Sequence, residues 1–253
     1  MRSILKVLLA LILVVVLSVG GLLAMTFHGL APTEARELPG VGWVAFDGYA
    51  GFSILDAGNG QVVLIDAGND KSGNPVLDAL TAHQHKADDV VAVFLTHGHP
   101  DHIAAIPHLP NAKVYGLAAE EPYLEGKLPW RGPLPRMFGA FDSGVRIRQT
   151  LDDGSVTHIG TVDVETFAVP GHTAGSAVYL IRGALFLGDS ATIEKDGALR
   201  PAPWIFSDDT AENRRSLVAL ADRLRPRAAE IKWLVPAHSG VGEGADALLA
   251  YKN

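Results

Sequence analysis

Residues 89–103, "DVVAVFLTHGHPDHI", constrain the fold more than any other stretch of the chain. A continuous aliphatic run ends in His97, His99, Asp101 and His102, four polar side chains within six positions. Apolar runs without alternation belong to strands buried on both faces. Imidazoles and carboxylates are costly to bury singly, so crowding them at the end of such a strand demands a compensating partner. With no cysteine in the chain, the donor set suits a borderline divalent cation such as zinc, and iron accepts the same ligand types.

Along an extended chain, side chains at i, i+2 and i+4 point the same way, which puts His97, His99 and Asp101 on one side. Pro100 disfavours helix at His99 while holding its own φ near the helical value, so the chain can turn there and bring in His102. The spacing offers a histidine pair to one metal and an aspartate with the last histidine to its neighbour. Three distant stretches repeat the setting of an apolar strand followed by a glycine-containing turn. They are "FAVPGHTAGS" with His172, "LFLGDSA" with Asp189 and "LVPAHSG" with His238. Loops at the ends of rigid strands are where function collects. Four such loops are expected to converge on one edge.

The N-terminal "MRSILKVLLALILVVVLSVGGLLAMTF" inflates the 48% hydrophobic content and is set aside before fold reasoning. Residues 7–25 are nineteen positions without a charge, preceded by Arg2 and Lys6. That length and flank predict a membrane anchor over 1–27, with the body extracytoplasmic, in the bacterial periplasm or on the outer face of the inner membrane. The rival reading is a cleaved signal peptide, but Leu22 stands two positions before Ala24 and the Gly29/Ala31 pair is followed by Pro32. Residues 28–40 read as a linker and 41–253 as one folded domain. Setting aside Arg2 and Lys6 leaves 19 basic against 28 acidic residues, a net charge of −9. That is the opposite of a nucleic-acid binder's basic footprint. Cysteine nucleophiles and disulfides are excluded outright.

From Val41 the chain is built of short apolar runs punctuated by glycine. Strands are expected at "VGWVAFD", "GFSILDA", "QVVLIDAG" and "AKVYG", then at "VRIRQTL", "SVTHI", "VDVETFAV", "AVYLI", "ALFLG" and "KWLVPA". Helical spacing predicts "NPVLDALTAHQHK", capped by Asn74 with Pro75 in its first turn. It also predicts "TAENRRSLVALADRLR", capped by Asp209 or Thr210, with Leu217, Leu220, Ala221 and Leu224 on one face; "LAAEEPYL" reads as a short helix. The fold class expected is α+β: an αββα sandwich, two mixed β-sheets packed face to face with helices outside. Residues 125–144 form a long aperiodic loop whose Trp130, Met137, Phe138 and Phe141 either wall a substrate or pin the loop to the body.

Taken in order, HxHxDH, PGHTxGS, GDS and PAHSG resemble the metallo-β-lactamase superfamily of binuclear metallohydrolases, over about Val41 to Gly240. The resemblance implies His97, His99 and His172 on a first metal, Asp101, His102 and His238 on a second, and Asp189 bridging them. Asp66 in "LIDAG" would orient a ligand rather than bind metal. It also implies two zinc ions per chain, iron being possible, and a small-molecule ester, thioester or lactone as substrate. A water that zinc makes acidic near neutral pH would be the nucleophile, with Asp101 orienting it and relaying its proton. The alternatives are β-lactam hydrolysis, iron-dependent persulfide dioxygenation, and a metal-stabilised binding protein without turnover. Against the first stands Asp189, which true metallo-β-lactamases usually lack at this point. Against the last, no ligand is missing. Ala237, where many thioesterase relatives carry glycine, is a departure that counts against a hydroxyacyl-glutathione substrate.

The other polar residues carry blander readings. His28, His83, His85, His108 and His158 read as structural or solvent-facing. Thr173 and Ser176 read as caps of the His172 turn. Arg214 and Arg215 fit an exposed helix face, and Lys195 is the cation nearest the metal edge by sequence.

Overall fold

Strands buried on both faces organise the body of the molecule, which we describe from a computed structural model covering residues 2–252, apart from the side chains of residues 2–4, 7, 10 and 15. The chain divides into two units, residues 1–30 and 31–253. The first contains helix α1 (Arg2–Phe27), whose described aliphatic side chains stand largely exposed, Leu17 by 64%. Among the described residues no helix is long and apolar enough to cross a membrane. The expected anchor falls partly outside those residues and remains a reading of the sequence.

In the second unit, one sheet runs in chain order through β1 (Arg36–Leu38), β2 (Gly42–Asp47), β3 (Ala50–Gly58), β4 (Gln61–Ile65), β5 (Val90–Phe94), β6 (Lys113–Leu117) and β7 (Gln149–Leu151). Its first four strands pair antiparallel and the last four parallel, with β4 belonging to both regimes. A second sheet holds β8 (Val156–Ile159), β9 (Val162–Ala168), β10 (Ala177–Ile181) and β11 (Ala184–Gly188). The ribbon of β12 (Ala191–Ile193) and β13 (Leu199–Pro201) then leaves this sheet, which β14 (Trp233–Pro236) and β15 (Gly242–Glu243) complete in the order β15-β14-β11-β10-β9-β8.

Period-two alternation sorts the side chains into three layers. Leu55, Phe94, Tyr179 and Ile181 share the cluster between the sheets. Ile54, Val93 and Leu95 face the other way, against Val76 and Leu80 of α2 (Asn74–Ala82). On the second sheet's outer face, Val178 and Leu180 meet Leu217, Leu220 and Leu224 of α5 (Thr210–Leu224), with Leu248 of α6 (Asp246–Ala250). The remaining α-helices, α3 (Pro100–Ile103) and α4 (Glu121–Leu124), are single turns. The αββα sandwich read from the sequence is therefore the architecture found. Each of those fully buried leucines stabilises the fold by roughly 1.5–3 kcal/mol.

Several boundaries differ from expectation for local reasons. Within 28–40, read as a linker, Arg36–Leu38 pairs with β2 and Leu38 is buried, so this stretch is partly built into the sheet. "VRIRQTL" supplies only a three-residue strand, and the ribbon of β12 and β13 has no clear alternation to announce it. Helix α2 begins at Asn74 after Gly73, whose φ of 72° suits glycine, whereas α5 is capped as expected by Asp209, its carboxylate accepting from Glu212 N at 2.9 Å.

Candidate metal centre

Strand direction explains why distant residues meet. β4 and β5 run parallel, as do β11 and β14; β9 runs with β11 because β10 is antiparallel to both. The segments that follow β4, β5, β9, β11 and β14 carry Asp66, the His97–His102 run, His172, Asp189 and His238. Backbone bonds close the two sheets together at this edge: Ala177 N donates to Thr96 O and Gly51 N to Ala237 O, both at 2.8 Å.

Three histidine nitrogens form a near-equilateral triangle. His97 Nε2 lies 3.0 Å from His99 Nδ1 and 3.1 Å from His172 Nε2, and His172 Nε2 lies 3.0 Å from His99 Nδ1. One tetrahedral ion with bonds near 2.0 Å spaces its ligands by roughly 3.3 Å, so the triangle has the dimensions of a coordination face. The opposite ring nitrogens of two of them are held from behind. His97 Nδ1 donates to Thr96 Oγ1 at 3.1 Å, and His172 Nδ1 to Ser207 Oγ at 3.1 Å; that hydroxyl donates in turn to Pro203 O at 2.7 Å. Such bonds set the tautomer and leave Nε2 unprotonated for a metal.

A second cluster adjoins the first through Asp189. Its Oδ1 is 3.3 Å from His102 Nε2, and its Oδ2 is 3.1 Å from His238 Nε2 and 3.5 Å from His172 Nε2. Asp101 Oδ2 lies 3.4 Å from His238 Nε2 and 3.8 Å from His102 Nε2. Behind these, His102 Nδ1 donates to Asp66 Oδ2 at 2.8 Å and His238 Nδ1 to Tyr49 O at 2.8 Å. Asp66 has φ 57°, in the left-handed region, and its carboxylate also accepts from Thr96 N and Oγ1. Aspartate tolerates that conformation better than most residues. His102 Nε2 and Asp189 Oδ1 are buried and have no hydrogen-bond partner although they face each other. Buried polar atoms are rarely left so. A shared cation satisfies both, and the donor set fits zinc.

Electrostatics divide the centre into two halves. Burial lowers His97 and His172 well below the ordinary imidazole range, and it pushes His99 down to about 4. These three rings are neutral near pH 7, as metal binding requires. His102 and His238 are also buried, but Asp189 and Asp101 overcome burial and raise both, with Asp66 adding to the effect on His102. Burial would raise Asp189, yet His238 and His102 hold it well below the usual carboxylate range. This half concentrates negative charge that calls for a positive one. Asp101 is the most open of the candidate ligands, 19% exposed against 10% for His238 and 8% for Asp189, so solvent meets the centre on its side.

All seven ligand candidates meet in three overlapping groups, His97/His99/His172, His97/His102/Asp189 and Asp101/His102/His238. The five other histidines belong to none of these groups among the described residues. His83 packs on Trp43 at 4.2 Å, His108 Nε2 donates to Lys71 O at 2.8 Å, and His158 pairs with Asp163 at 2.6 Å. Thr173 and Ser176 close the His172 turn, Thr173 N donating to Ser176 Oγ at 2.9 Å. Lys195, Arg214 and Arg215 are exposed. In the 125–144 loop, Trp130 is buried with its ring 5.2 Å from His99 and 5.5 Å from Phe141, while Met137 and Phe138 stand out in solvent. Trp130 pins the loop beside the centre.

Besides Thr96, which joins His97 to Asp66, four residues with a part here were not singled out in the sequence. Tyr49, on the β2–β3 turn, lays its ring 5.6 Å from that of His238. Ser207 holds His172, and Glu120 accepts bonds from both histidine-bearing turns. Asn213, fully buried, receives Ala202 N and donates to Ser190 O, both at 3.0 Å, tying the Asp189 loop to α5. Strand parity could have flagged Tyr49 and Glu120, because β2 and β6 end at the same edge as β4 and β5.

The chain is similar to known proteins in sequence and in fold. The sequence profile of the Metallo-beta-lactamase superfamily matches residues 47–238. Hydroxyacylglutathione hydrolase of Aeromonas salmonicida is 32% identical over 163 residues, which cover 63% of this chain and 51% of that protein. The same-named protein of Fuscovulum blasticum is 32% identical over 180 residues, 69% of this chain and 58% of that one. The chain thus spans about half the length of the curated relatives it matches. Among solved structures, a B3 metallo-beta-lactamase with an active-site glutamic acid superposes with a TM-score of 0.66 at 22% identity, covering 90% of this chain and 88% of the other. MIM-1 from Novosphingobium pentaromativorans gives 0.64 at 21% identity, covering 88% and 87%. At such identities these two show a common fold. The profile match over most of the body, together with the fold, places the chain in the metallo-β-lactamase superfamily.

Proposed function

We propose that this protein is a two-metal, zinc-dependent hydrolase of a small ester, thioester or lactone. One observation carries the reading: Asp189 stands between two ligand groups, with His102 Nε2 and its own Oδ1 buried and otherwise unpartnered. His97, His99 and His172 would hold one ion, Asp101, His102 and His238 the other, and Asp189 would touch both. Zinc, when bound, supplies a water acidic enough to act as a nucleophile near neutral pH and an electrophile for a carbonyl oxygen.

The chain's own residues do the rest. Asp66, Thr96, Ser207 and the Tyr49 carbonyl fix the imidazoles of His102, His97, His172 and His238 so that each of these four presents a lone pair inward. Asp101, the ligand most open to solvent, is placed to orient the attacking water and carry its proton to the leaving group. The ring of Tyr49 forms a wall beside His238. The name carried by the curated relatives puts thioesters at the head of the substrate panel. The uncharged run over 7–25 supports an anchored protein whose body works outside the cytoplasm. Accessibility of the body to protease added to intact spheroplasts tests that location, and protection in spheroplasts with lysed-cell cleavage would refute it.

The test of activity is metal content and turnover of the purified protein on ester, thioester, lactone and nitrocefin substrates. Two zinc ions per chain are expected, with turnover reduced at least ~100-fold by Asp101→Asn. One iron per chain with oxygen uptake, nitrocefin as the preferred substrate, or full metal occupancy without turnover would each replace this reading.

A further inference from the structure

We propose that Glu120 is a positioning residue for the three-histidine site, its carboxylate tying the turn that bears His97 and His99 to the turn that bears His172. The inference rests on the two-metal reading above. Glu120 follows β6 and is 1% exposed. Its Oε1 accepts from Gly98 N at 2.8 Å; its Oε2 accepts from Thr173 Oγ1 at 2.7 Å and Gly175 N at 3.0 Å. Gly98 lies between His97 and His99, and Thr173 directly follows His172. One side chain therefore spans two loops whose ligands are 75 positions apart in sequence.

The approach is possible because both loops present glycine. A Cβ on Gly98 would fall 2.7 Å from Leu124 Cδ2 and 3.1 Å from Glu120 Oε1, and one on Gly175 would fall 2.5 Å from Glu120 N. A buried carboxylate is costly, and three short bonds from neutral donors are the arrangement that offsets it. Core packing alone does not call for a charge at this position, since an apolar side chain would fill the space without desolvating one. The geometry instead serves the register of the histidines. Their nitrogens stand within 3.1 Å of one another only while the two turns keep their spacing.

Glu120→Gln replaces one oxygen by an amide N–H that must confront either Gly98 N–H or the Thr173 and Gly175 donors, so one tie is lost at nearly constant shape. Zinc titration against a chromophoric chelator resolves the two binding steps, and the step abolished by His99→Ala marks the three-histidine site. For Glu120→Gln that step is expected to weaken about 10–100-fold, with the other step unchanged. Thr173→Val, which removes one donor, should weaken the same step, and Thr173→Ser, which keeps it, should not. The threonine pair decides the matter if Glu120→Gln does not fold. Wild-type affinity in Glu120→Gln or Thr173→Val, or equal weakening of both steps, overturns the proposal. If the unaltered protein binds no metal, it is the two-metal reading that fails.

Discussion

Asp66→Asn would expose how much the centre depends on a residue that touches no metal. The aspartate receives three bonds of 2.7–2.8 Å, from Thr96 N, Thr96 Oγ1 and His102 Nδ1. Asparagine keeps Oδ1 for Thr96 N but sets an N–H group where Oδ2 stood. The threonine hydroxyl can turn to accept it. His102 Nδ1 can accept only by moving its proton to Nε2, the atom 3.3 Å from Asp189 Oδ1 and 3.8 Å from Asp101 Oδ2. A protonated nitrogen does not bind a cation. The expected loss is about 10–100-fold in affinity at the Asp101/His102/His238 site, or about 1.4–2.7 kcal/mol. Exchange of a charged for a neutral acceptor costs roughly 1–3 kcal/mol of folding stability as well. Asparagine accepts a φ of 57°, so the backbone does not confound the comparison. Chelator competition reads the two affinities and urea unfolding the stability. Two wild-type affinities, or a larger loss at the three-histidine site, would refute this tautomer argument.

Other consequences can be checked separately. Trp130→Ala removes a buried ring that pins the 125–144 loop and should cost roughly 3–5 kcal/mol in urea unfolding, with faster proteolysis inside that loop. A cost below ~0.5 kcal/mol would mean that the loop is held by other contacts. With free zinc at about 100 times its Kd, each bound ion stabilises the fold by about 2.7 kcal/mol, so chelation should lower Tm by roughly 5–10 °C per ion. An unmoved Tm would speak against resident metal. Burial would raise the Asp153 carboxyl, but its bonds from Arg223 and from Ala168 N outweigh that and depress it. The stabilisation is therefore present above the unfolded pKa and lost as pH falls through the depressed folded value. With Arg223 and Asp153 41% and 48% exposed, it amounts to less than ~1 kcal/mol, and Arg223→Ala should remove that part of the acid limb of a stability–pH curve.

The centre was legible where chemistry and local pattern coincide. His97, His99, His172, Asp189 and His238 each lie in a glycine-containing turn that follows an apolar strand, a conjunction that core packing does not require. The layers were legible because doubly buried strands such as Ala177–Ile181 read as unbroken apolar runs, while α5 shows a helical stripe and an aspartate cap. What supports the ligands was not. Glu120 stands beside Glu121 in a segment resembling an exposed helix end, and only the tertiary fold buries the first and leaves the second partly open. Ser207 and Asn213 are small polar residues in a loop and on a helix, where surface positions normally carry them. Leu38 in β1 was lost in a proline- and glycine-bearing stretch whose pairing partner lies in the next strand.

Anomalous diffraction at the zinc edge, from crystals of the metal-loaded protein, tests the central claim most directly. Two peaks are expected, one bonded to His97, His99 and His172, the other to Asp101, His102 and His238, with Asp189 reaching both. A single peak that leaves Asp189 unbonded, or peaks away from these seven side chains, would contradict it.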